Sequence, residues 1–310
     1  MDSVVPWEVL LVDNASTDST VEVARTTWGN GPVPLRIVKE PDLGLQRARE
    51  RGRQEANYDL LGFVDDDNWV AADFVSARGR PRLFESDPTL GALGSVCEPV
   101  FDAPEPPWFR NFDATYAILS EIDPRIKLSP PYLHGAGLFI RKIAWTRLVE
   151  GGFHSLLTDR VGGNLSGGGD TELTWAIRLA GWKILVDPSL KLQHFMPAQR
   201  LRWDYLRKLK RSYALSMVLL DAYTEHSLSL KPGPRTWFSD QWWYQFSKSA
   251  LAIAKRPAEV LAALCNHGEG RDQILDIEEH FGRARGLLHY RGRYGTSRRG
   301  LREATWKYSP

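Results

Sequence analysis

The chain has 310 residues, 43% of them apolar and 25% charged, with a formal net charge of +2, which is typical of a folded protein with a substantial core. Its two cysteines, Cys97 and Cys265, are far apart and lack metal-ligand spacing, which argues against a disulfide framework and fits a reducing compartment. No segment reaches the roughly 20 apolar residues that cross a bilayer, and the N-terminus lacks the features of a signal peptide, so we expect a cytoplasmic protein.

Two stretches are strongly basic. Residues 200–211 contain six basic residues and one acidic residue, and residues 283–310 contain eight basic residues and one acidic residue. Such stretches indicate contacts with phosphates, nucleic acid or anionic lipid, or they form the solvated face of a helix.

The first third of the chain alternates between strand and helix patterns. In chain order, the pattern predicts a strand at 8–12, a helix at 20–27, a strand at 35–38, a basic helix at 45–56 and a strand at 60–64. This alternation is typical of an α/β domain in which helices pack on a mostly parallel sheet.

The pattern then changes. Prolines between residues 99 and 131 predict an irregular surface segment, and glycine pairs, among them Gly162-Gly163, interrupt the stretch before Asp170. Beyond it we predict a helix at 171–179, a strand at 183–186 closed by Asp187-Pro188, helices at 203–223, 237–255 and 258–265, and a break at Lys231–Pro234. The final segment, rich in arginine and glycine, is expected to be partly mobile.

Three consecutive carboxylates, Asp65, Asp66 and Asp67, follow directly on the third predicted strand. Adjacent like charges repel one another, and a divalent cation would relieve that repulsion because hard cations prefer carboxylate oxygens. The strand end is also the edge at which open α/β sheets bind ligands. A solvated acidic turn before Asn68 is the alternative.

Three motifs in this order resemble the family 2 glycosyltransferases, which have the GT-A fold. The motifs are Val12-Asp13-Asn14-Ala15-Ser16-Thr17-Asp18-Ser19-Thr20, Asp65-Asp66-Asp67-Asn68 and Gly168-Gly169-Asp170-Thr171-Glu172-Leu173. The resemblance covers roughly residues 7–200. It implies a GT-A-type catalytic domain over residues 1–200, with a mostly parallel sheet flanked by helices, and we predict a helical C-terminal extension over residues 201–310.

The resemblance implies separate roles for residues on the donor side. Asp13 would bind the base of the sugar nucleotide, usually uracil, although Asp13 in a simple turn is an alternative. Arg49 would lie on the nucleotide side, unless it belongs to a solvated basic helix. Asp65 would contact the ribose or the donor sugar.

The resemblance also implies a metal site. Asp67 would bind Mg²⁺ or Mn²⁺, which bridges the diphosphate of the donor, and His194 would complete the metal or diphosphate site. Arg200 could neutralise the diphosphate. For His194, a structural role is the alternative.

Asp170 matches the catalytic base of the family, which takes a proton from the acceptor hydroxyl. Gly168 and Gly169 would let the backbone approach the sugar, and Gly135 lies where the family places a donor and acceptor loop. The chain has Gly169 where the family usually has glutamate. Asp170 as a helix N-cap, and Gly135 in a tight turn, are the alternatives.

Family members normally have a further strand and helix before the 8–12 strand, and only Met1–Trp7 stands there. In the family that strand is central, so its absence predicts unpaired edges on the 8–12 and 60–64 strands. A start annotated downstream of the true one, or a fragment, would account for it.

We therefore predict an inverting, metal-dependent glycosyltransferase that transfers a sugar from a nucleotide donor to a glycan or lipid-linked acceptor. A non-catalytic binding protein derived from such an enzyme, or a nucleotidyltransferase, is the alternative. No nucleic-acid partner is expected. Trp237, Trp242 and Trp243 with Lys248, Lys255 and Arg256 could form an interfacial helix, so peripheral association with the inner face of a membrane is a further expectation. Packing of these tryptophans in the core, or stacking on sugars, is the alternative.

Overall fold

The computed structural model describes residues 6–71, 74, 80–119, 130–157, 167–227, 238 and 240–307. The strands are β1 Val9–Asp13, β2 Leu35–Lys39, β3 Leu60–Phe63, β4 Asn68–Val70, β5 Leu90–Phe101, β6 Leu138–Arg141 and β7 Lys183–Met196. The helices are α1 Thr20–Trp28, α2 Leu45–Glu55, α3 Arg80–Ser86, α4 Phe109–Phe112, α5 Lys142–Glu150, α6 Gly169–Leu179, α7 Trp203–Met217, α8 Asp221–Ser227, α9 Trp242–Ala254, α10 Pro257–Leu264, α11 Asp272–His289 and α12 Arg291–Glu303.

Strands β1 and β2 form a small parallel sheet of their own, in register from Val9 opposite Leu35 to Asp13 opposite Lys39. The apolar residues of both strands are only half-buried. Polar contacts therefore contribute to holding this unit in place: the Glu8 carboxylate accepts hydrogen bonds from Arg36 Nη1 and from the Asn57 backbone N–H, both at 2.6 Å.

The larger sheet has five strands in the order β3-β6-β5-β7-β4. The α/β class is confirmed, but the expectation of a mostly parallel sheet is wrong for this sheet. Among the described strands, β5 and β7 pair in parallel, whereas the β3–β6, β6–β5 and β7–β4 pairs are antiparallel. The reason is that the short strands β4 and β6 pair with longer strands and do not belong to the strand–helix alternation in the first third of the chain.

The two sheets do not pair with each other in the described part of the chain. There β1 pairs with β2 alone and β3 with β6 alone, which confirms the expectation of two unpaired strand edges. Side chains link the two units: Arg53 Nη1 donates to Thr146 Oγ1 at 3.0 Å, and Lys142 Nζ donates to the Ala56 carbonyl at 2.6 Å.

Strand β7 is longer than the sequence predicts. Asp187-Pro188 was expected to close it, yet it continues to Met196 after an irregularity. Gly94 pairs with Val186, and the ladder resumes at Val96 opposite Lys191. Strand β5 is long and offers backbone hydrogen-bonding groups beyond the irregularity. Strand β7 can therefore leave the ladder after Val186 and pair with β5 again from Lys191.

Helices α7 and α11 share a core with the larger sheet. One apolar cluster combines residues of α4, β5, β7, α7 and α11: Phe109, Leu93, Leu190, Leu192, Leu206, Leu209, Ile274 and Ile277. The fully buried carboxylate of Glu278 on α11 binds Arg207 and Arg211 of α7, with Nε–O distances of 2.8 and 2.6 Å. A charge buried without such partners would be strongly unfavourable.

The end of the described chain is helical, with α12 reaching Glu303. Arg298 of α12 is buried and donates from Nε to Asp240 at 2.9 Å. The predicted 203–223 helix ends at Met217, and a short 3₁₀ turn over 218–220 leads into α8. Three features named from the sequence, Gly162-Gly163, Lys231–Pro234 and Trp237, lie outside the described residues.

Candidate active site

Asp170 lies in the first turn of α6 and is fixed by backbone groups. Its Oδ2 accepts a hydrogen bond from the Gly135 N–H at 2.6 Å, and its Oδ1 accepts one from the Thr171 N–H at 2.7 Å. The helix begins at Gly169, two residues before the predicted start, and Gly168 occupies the N-cap position with a φ of +116°. Asp170 is therefore not the N-cap, and its carboxylate is half-exposed.

Gly135 is bordered by two charged groups. A Cβ placed on it would overlap the guanidinium of Arg49 at Nη2 and would lie 3.1 Å from Asp170 Oδ2. Arg49, on α2, is 8% exposed. The structure thus brings Arg49, Gly135 and Asp170 together, although they are far apart in the sequence.

His134 and Tyr132 lie next to this cluster. Burial lowers the pKa of His134, and the charge of Asp170 acts in the opposite direction. Burial also raises the pKa of Tyr132, and Asp170 adds to that effect. Both environments favour neutral side chains beside the Asp170 carboxylate.

Asn14 orients the helix that bears Arg49. Its Nδ2 donates to the carbonyls of Glu40 and Asp42 at 3.0 and 2.6 Å, and its Oδ1 accepts from the Gly44 N–H at 2.8 Å. Gly44 is the N-cap residue of α2. Asn14 stands in the first motif, but the sequence offered no signal for this role beyond its position after a strand.

Asp13 ends β1 with a buried side chain. Its Oδ1 accepts a hydrogen bond from the Ser16 N–H at 3.0 Å, and hydrogen bonds from Ser16 hold the pKa of Asp13 below its usual range. This is the turn that the sequence allowed as an alternative, and contact with a nucleotide base stays a prediction.

Asp67, His194 and Arg200 form a second cluster. Arg200 Nη1 lies 2.7 Å from Asp67 Oδ2 and 3.2 Å from His194 Nε2, and His194 Nε2 lies 3.2 Å from the same Asp67 oxygen. Burial raises the pKa of Asp67, but the hydrogen bonds and charges of His194 and Arg200 outweigh it and leave the pKa well below its usual range.

The strand pairing explains how this cluster forms. The short β4 pairs with the extended part of β7, so that Asn68 lies opposite His194, and the Phe195 N–H donates to the Asp67 carbonyl at 2.9 Å. The Asp65 carbonyl accepts from the Asn68 N–H at 3.0 Å, which closes the turn of the aspartate triplet. Asp66 is exposed.

The donor atoms of this cluster fit a divalent cation in part. Asp67 supplies a carboxylate oxygen and His194 an imidazole nitrogen within 3.2 Å of each other. No group of three histidine, cysteine, aspartate or glutamate side chains gathers at one point in the described segments. A cation held here would therefore take its remaining ligands from substrate phosphates or water, as Mg²⁺ commonly does.

Glu172 is a buried residue of the third motif to which the sequence assigned no role. Its carboxylate accepts hydrogen bonds from Ser155 Oγ at 2.6 Å and from the Leu156 N–H at 2.9 Å. The Leu157 N–H and the Tyr223 hydroxyl also donate to it, both at 3.3 Å. Glu172 therefore ties the 155–157 turn and α8 to the helix that bears Asp170.

Gly168 also lies close to its neighbours. A Cβ there would lie 3.2 Å from Leu157 Cδ1, and the positive φ disfavours any other residue. Gly169, the first residue of α6, is buried. Both glycines thus have a packing or backbone role, while contact with a sugar stays a prediction.

Replacing Gly135 with alanine should displace either Arg49 or Asp170, because the added methyl group would overlap the guanidinium. We expect a loss of about 1–3 kcal/mol in the free energy of unfolding, measured by chemical denaturation. Gly292→Ala is the matched control, since Gly292 is exposed on α12 with open space around it. Equal stability of Gly135→Ala and Gly292→Ala would contradict the predicted overlap between a methyl group at position 135 and Arg49.

Glu172→Gln should change how stability depends on pH. Burial raises the pKa of Glu172 to about 7, from an ordinary value of 4.5. The protonated form is therefore favoured on folding, and this stabilisation is fully present below about pH 4.5 and lost as the pH rises through about 7. Between about pH 5 and about pH 8, the free energy of unfolding of the wild type should fall by up to about 3 kcal/mol relative to that of the Glu172→Gln variant.

Denaturant titrations at both pH values measure this difference. The exposed Glu150→Gln on α5 serves as the control and should follow the wild type. Parallel pH profiles of wild type and Glu172→Gln would show that Glu172 ionises normally.

Comparison with known proteins gives one family match. Residues 4–78 match the family model described as "Glycosyl transferase family 2". No curated protein matches the chain. The matched residues include Asp13, Arg49, Asp65 and Asp67, whereas Asp170, His194 and Arg200 lie beyond them.

Solved structures give weak similarities. One is a "crystal structure of GalNAc-T7 with UDP, GalNAc and Mn2+", 16% identical, with 74% of this chain and 46% of that chain covered and a TM-score of 0.44. Another is TarS 1-349 of S. aureus "in complex with UDP", 14% identical, with 96% and 82% covered and a TM-score of 0.40. The chain thus covers less than half the length of the first of these.

The match extends over the first two of the three motifs, in the order in which the sequence presents them. Residues 4–78 are therefore similar to the family 2 glycosyltransferases, the family that the motifs resemble.

Proposed function

We propose that the chain is an inverting glycosyltransferase that moves a sugar from a nucleoside diphosphate, of which UDP is the first candidate, to a hydroxyl of a glycan or lipid-linked acceptor. The observation that carries the proposal is the fixed carboxylate of Asp170, which two backbone N–H groups hold beside Gly135 and Arg49. A general base needs this kind of positioning, since it must come within hydrogen-bond reach of the acceptor hydroxyl.

The reaction is a single displacement. The acceptor oxygen forms a bond to the anomeric carbon while the bond from that carbon to the diphosphate oxygen breaks, and Asp170 takes the acceptor proton. The configuration inverts because attack and departure occur on opposite faces. A side chain at position 135 would overlap the guanidinium of Arg49 and crowd the carboxylate, so glycine lets both groups keep their positions.

Positive charge for the leaving diphosphate would come from Arg200. Its guanidinium is 22% exposed and already contacts Asp67, so it can reach a second anion from the same position. Arginine suits this role because its planar fork binds phosphate oxygens in pairs. Asp13 and Asp65 would contact the nucleoside and the sugar.

Asp67 and His194 would hold Mg²⁺ or Mn²⁺ in the presence of the donor diphosphate. Such a cation stabilises the negative charge that develops on the leaving group. Asp67 supports the proposal because its lowered pKa keeps the carboxylate ionised and available as a ligand over the physiological pH range.

A non-catalytic protein that binds a sugar nucleotide is the second candidate. The unpaired edges of β1 and β3 favour this candidate. In the described part of the chain, β1, which ends at Asp13, pairs with a strand on one side only. Slow hydrolysis of a UDP-sugar by the wild type, which needs no acceptor, distinguishes an enzyme from a binding protein.

Asp170→Asn should lower sugar transfer or donor hydrolysis by roughly 10²–10⁴-fold, because the amide cannot accept the proton. Binding of UDP, measured by calorimetry, should stay close to that of the wild type. Asp276→Asn, an exposed position on α11, is the matched control for loss of one carboxylate. Near-normal turnover by the Asp170→Asn variant would show that Asp170 is not the general base.

Asp67→Ala should abolish the metal dependence of UDP binding. We expect the wild type to bind UDP at least roughly tenfold more tightly with Mn²⁺ or Mg²⁺ than with a chelator, and the variant to show no such difference. Asp66→Ala removes the neighbouring exposed carboxylate and should behave as the wild type. The metal assignment fails if wild-type binding is the same with and without the cation.

A further inference from the structure

Helices α9 and α10 expose large apolar side chains. Trp243 and Leu251 of α9 are 44% and 55% exposed, and Leu261 and Leu264 of α10 are 62% and 73% exposed. Single exposed apolar residues are ordinary, but a group on consecutive helices indicates an interaction surface.

The exposed residues recur at helical spacing. On α9 they are Trp243, Leu251 and Ala254, and on α10 they are Ala258, Leu261 and Leu264. We call these six residues the apolar face. The opposite side of each helix packs inward: Trp242 and Phe246 contact one core cluster, and Val260 and Ala263 contact another. Helix α11 lies against both helices. The apolar face is therefore not needed for internal packing.

Charges between residues 242 and 264 are mainly basic. Lys248 and Lys255 are both exposed, and α9 contains no acidic residue. Arg256 Nη1 lies 3.4 Å from Asp276 Oδ2 and is thereby partly neutralised, and Glu259 is the one acid in this range. Of the helices that touch α9, α11 adds the exposed acids Asp272 and Asp276, and α12 adds exposed arginines: Arg291, Arg293 and Arg299.

This combination fits the surface of an anionic membrane. Helices that lie in a bilayer interface place leucine and tryptophan side chains among the lipids and lysines against the phosphates. A second copy of the chain fits less well, since a two-fold contact through this face would bring the same lysines together from both copies. In the described part of the chain, no helix has the length and apolar character needed to span a membrane.

We propose that the apolar face docks onto the surface of a bilayer that contains anionic lipid. Leu251, Leu261 and Leu264 enter the interfacial region, and Lys248 and Lys255 contact lipid phosphate groups. Trp237, expected from the sequence to take part, lies outside the described residues. The binding is independent of the proposed glycosyl transfer and can be measured without donor or acceptor.

Sedimentation with vesicles tests the proposal. The full chain is mixed with vesicles of phosphatidylcholine alone or with added phosphatidylglycerol, at low and at high salt. We expect binding to the anionic vesicles that weakens with salt, because exposed charges are screened. The double variant Leu261→Gln/Leu264→Gln should bind at least about tenfold more weakly, since the buried apolar area is lost.

Val23→Gln is the matched control, because Val23 is 58% exposed on α1 and far along the chain from the apolar face. It should bind as the wild type does. A second variant, Lys248→Gln/Lys255→Gln, should lose the preference for anionic vesicles while keeping its folded circular dichroism spectrum.

The proposal is overturned if the wild type does not bind anionic vesicles at low salt. It is also overturned if the Leu261→Gln/Leu264→Gln variant binds as well as the wild type. Where vesicle binding is absent, light scattering shows whether the wild type is a dimer that this variant dissociates. That result would assign the face to a second copy of the chain.

Discussion

The parallel ladder between β5 and β7 is the interaction on which the rest of the structure depends. Its first half, where Leu93 pairs with Leu185, lies in the apolar core. Its second half, where Pro99 pairs with His194, continues towards the site. The irregularity after Val186 joins these halves, so one strand serves both the core and the site. The short β4 can pair only because β7 continues, and this pairing brings Asp67 to His194.

The β1–β2 unit is held in a different way. Its apolar residues are half-buried, and well-defined polar contacts run through Glu8, Asn14 and Arg53 to neighbouring segments. Such contacts have directional geometry, so they fix orientation even where little apolar area is buried. Asn14 shows the consequence for the site, because it positions the N-terminus of α2 and hence Arg49. The unpaired edges of β1 and β3 leave this orientation dependent on a few side chains.

The sequence predicted local elements well and long-range pairing poorly. The strand–helix alternation located β1 to β3 within a residue or two, because hydrophobic period and caps are local signals. It could not predict the antiparallel insertion of β6 or the extension of β7 to Met196, since both depend on partners distant in sequence. For the proposed site, motif order singled out Asp67 and Asp170, and their roles stay predictions. The roles of Asn14 and Glu172 were missed because each depends on backbone groups of a loop remote in sequence.

Two acids of the predicted site, Asp170 and Asp67, are stabilised in different ways, and this difference suits separate roles. Asp170 is held by backbone N–H groups, which are fixed and cannot leave. Asp67 is held by the side chains of Arg200 and His194. If a diphosphate also binds the Arg200 guanidinium, Asp67 shares that positive charge with a second anion, and a divalent cation would restore the balance. Backbone stabilisation suits a base that keeps its position, whereas a partner shared with the donor suits a ligand whose surroundings change when the donor binds and leaves.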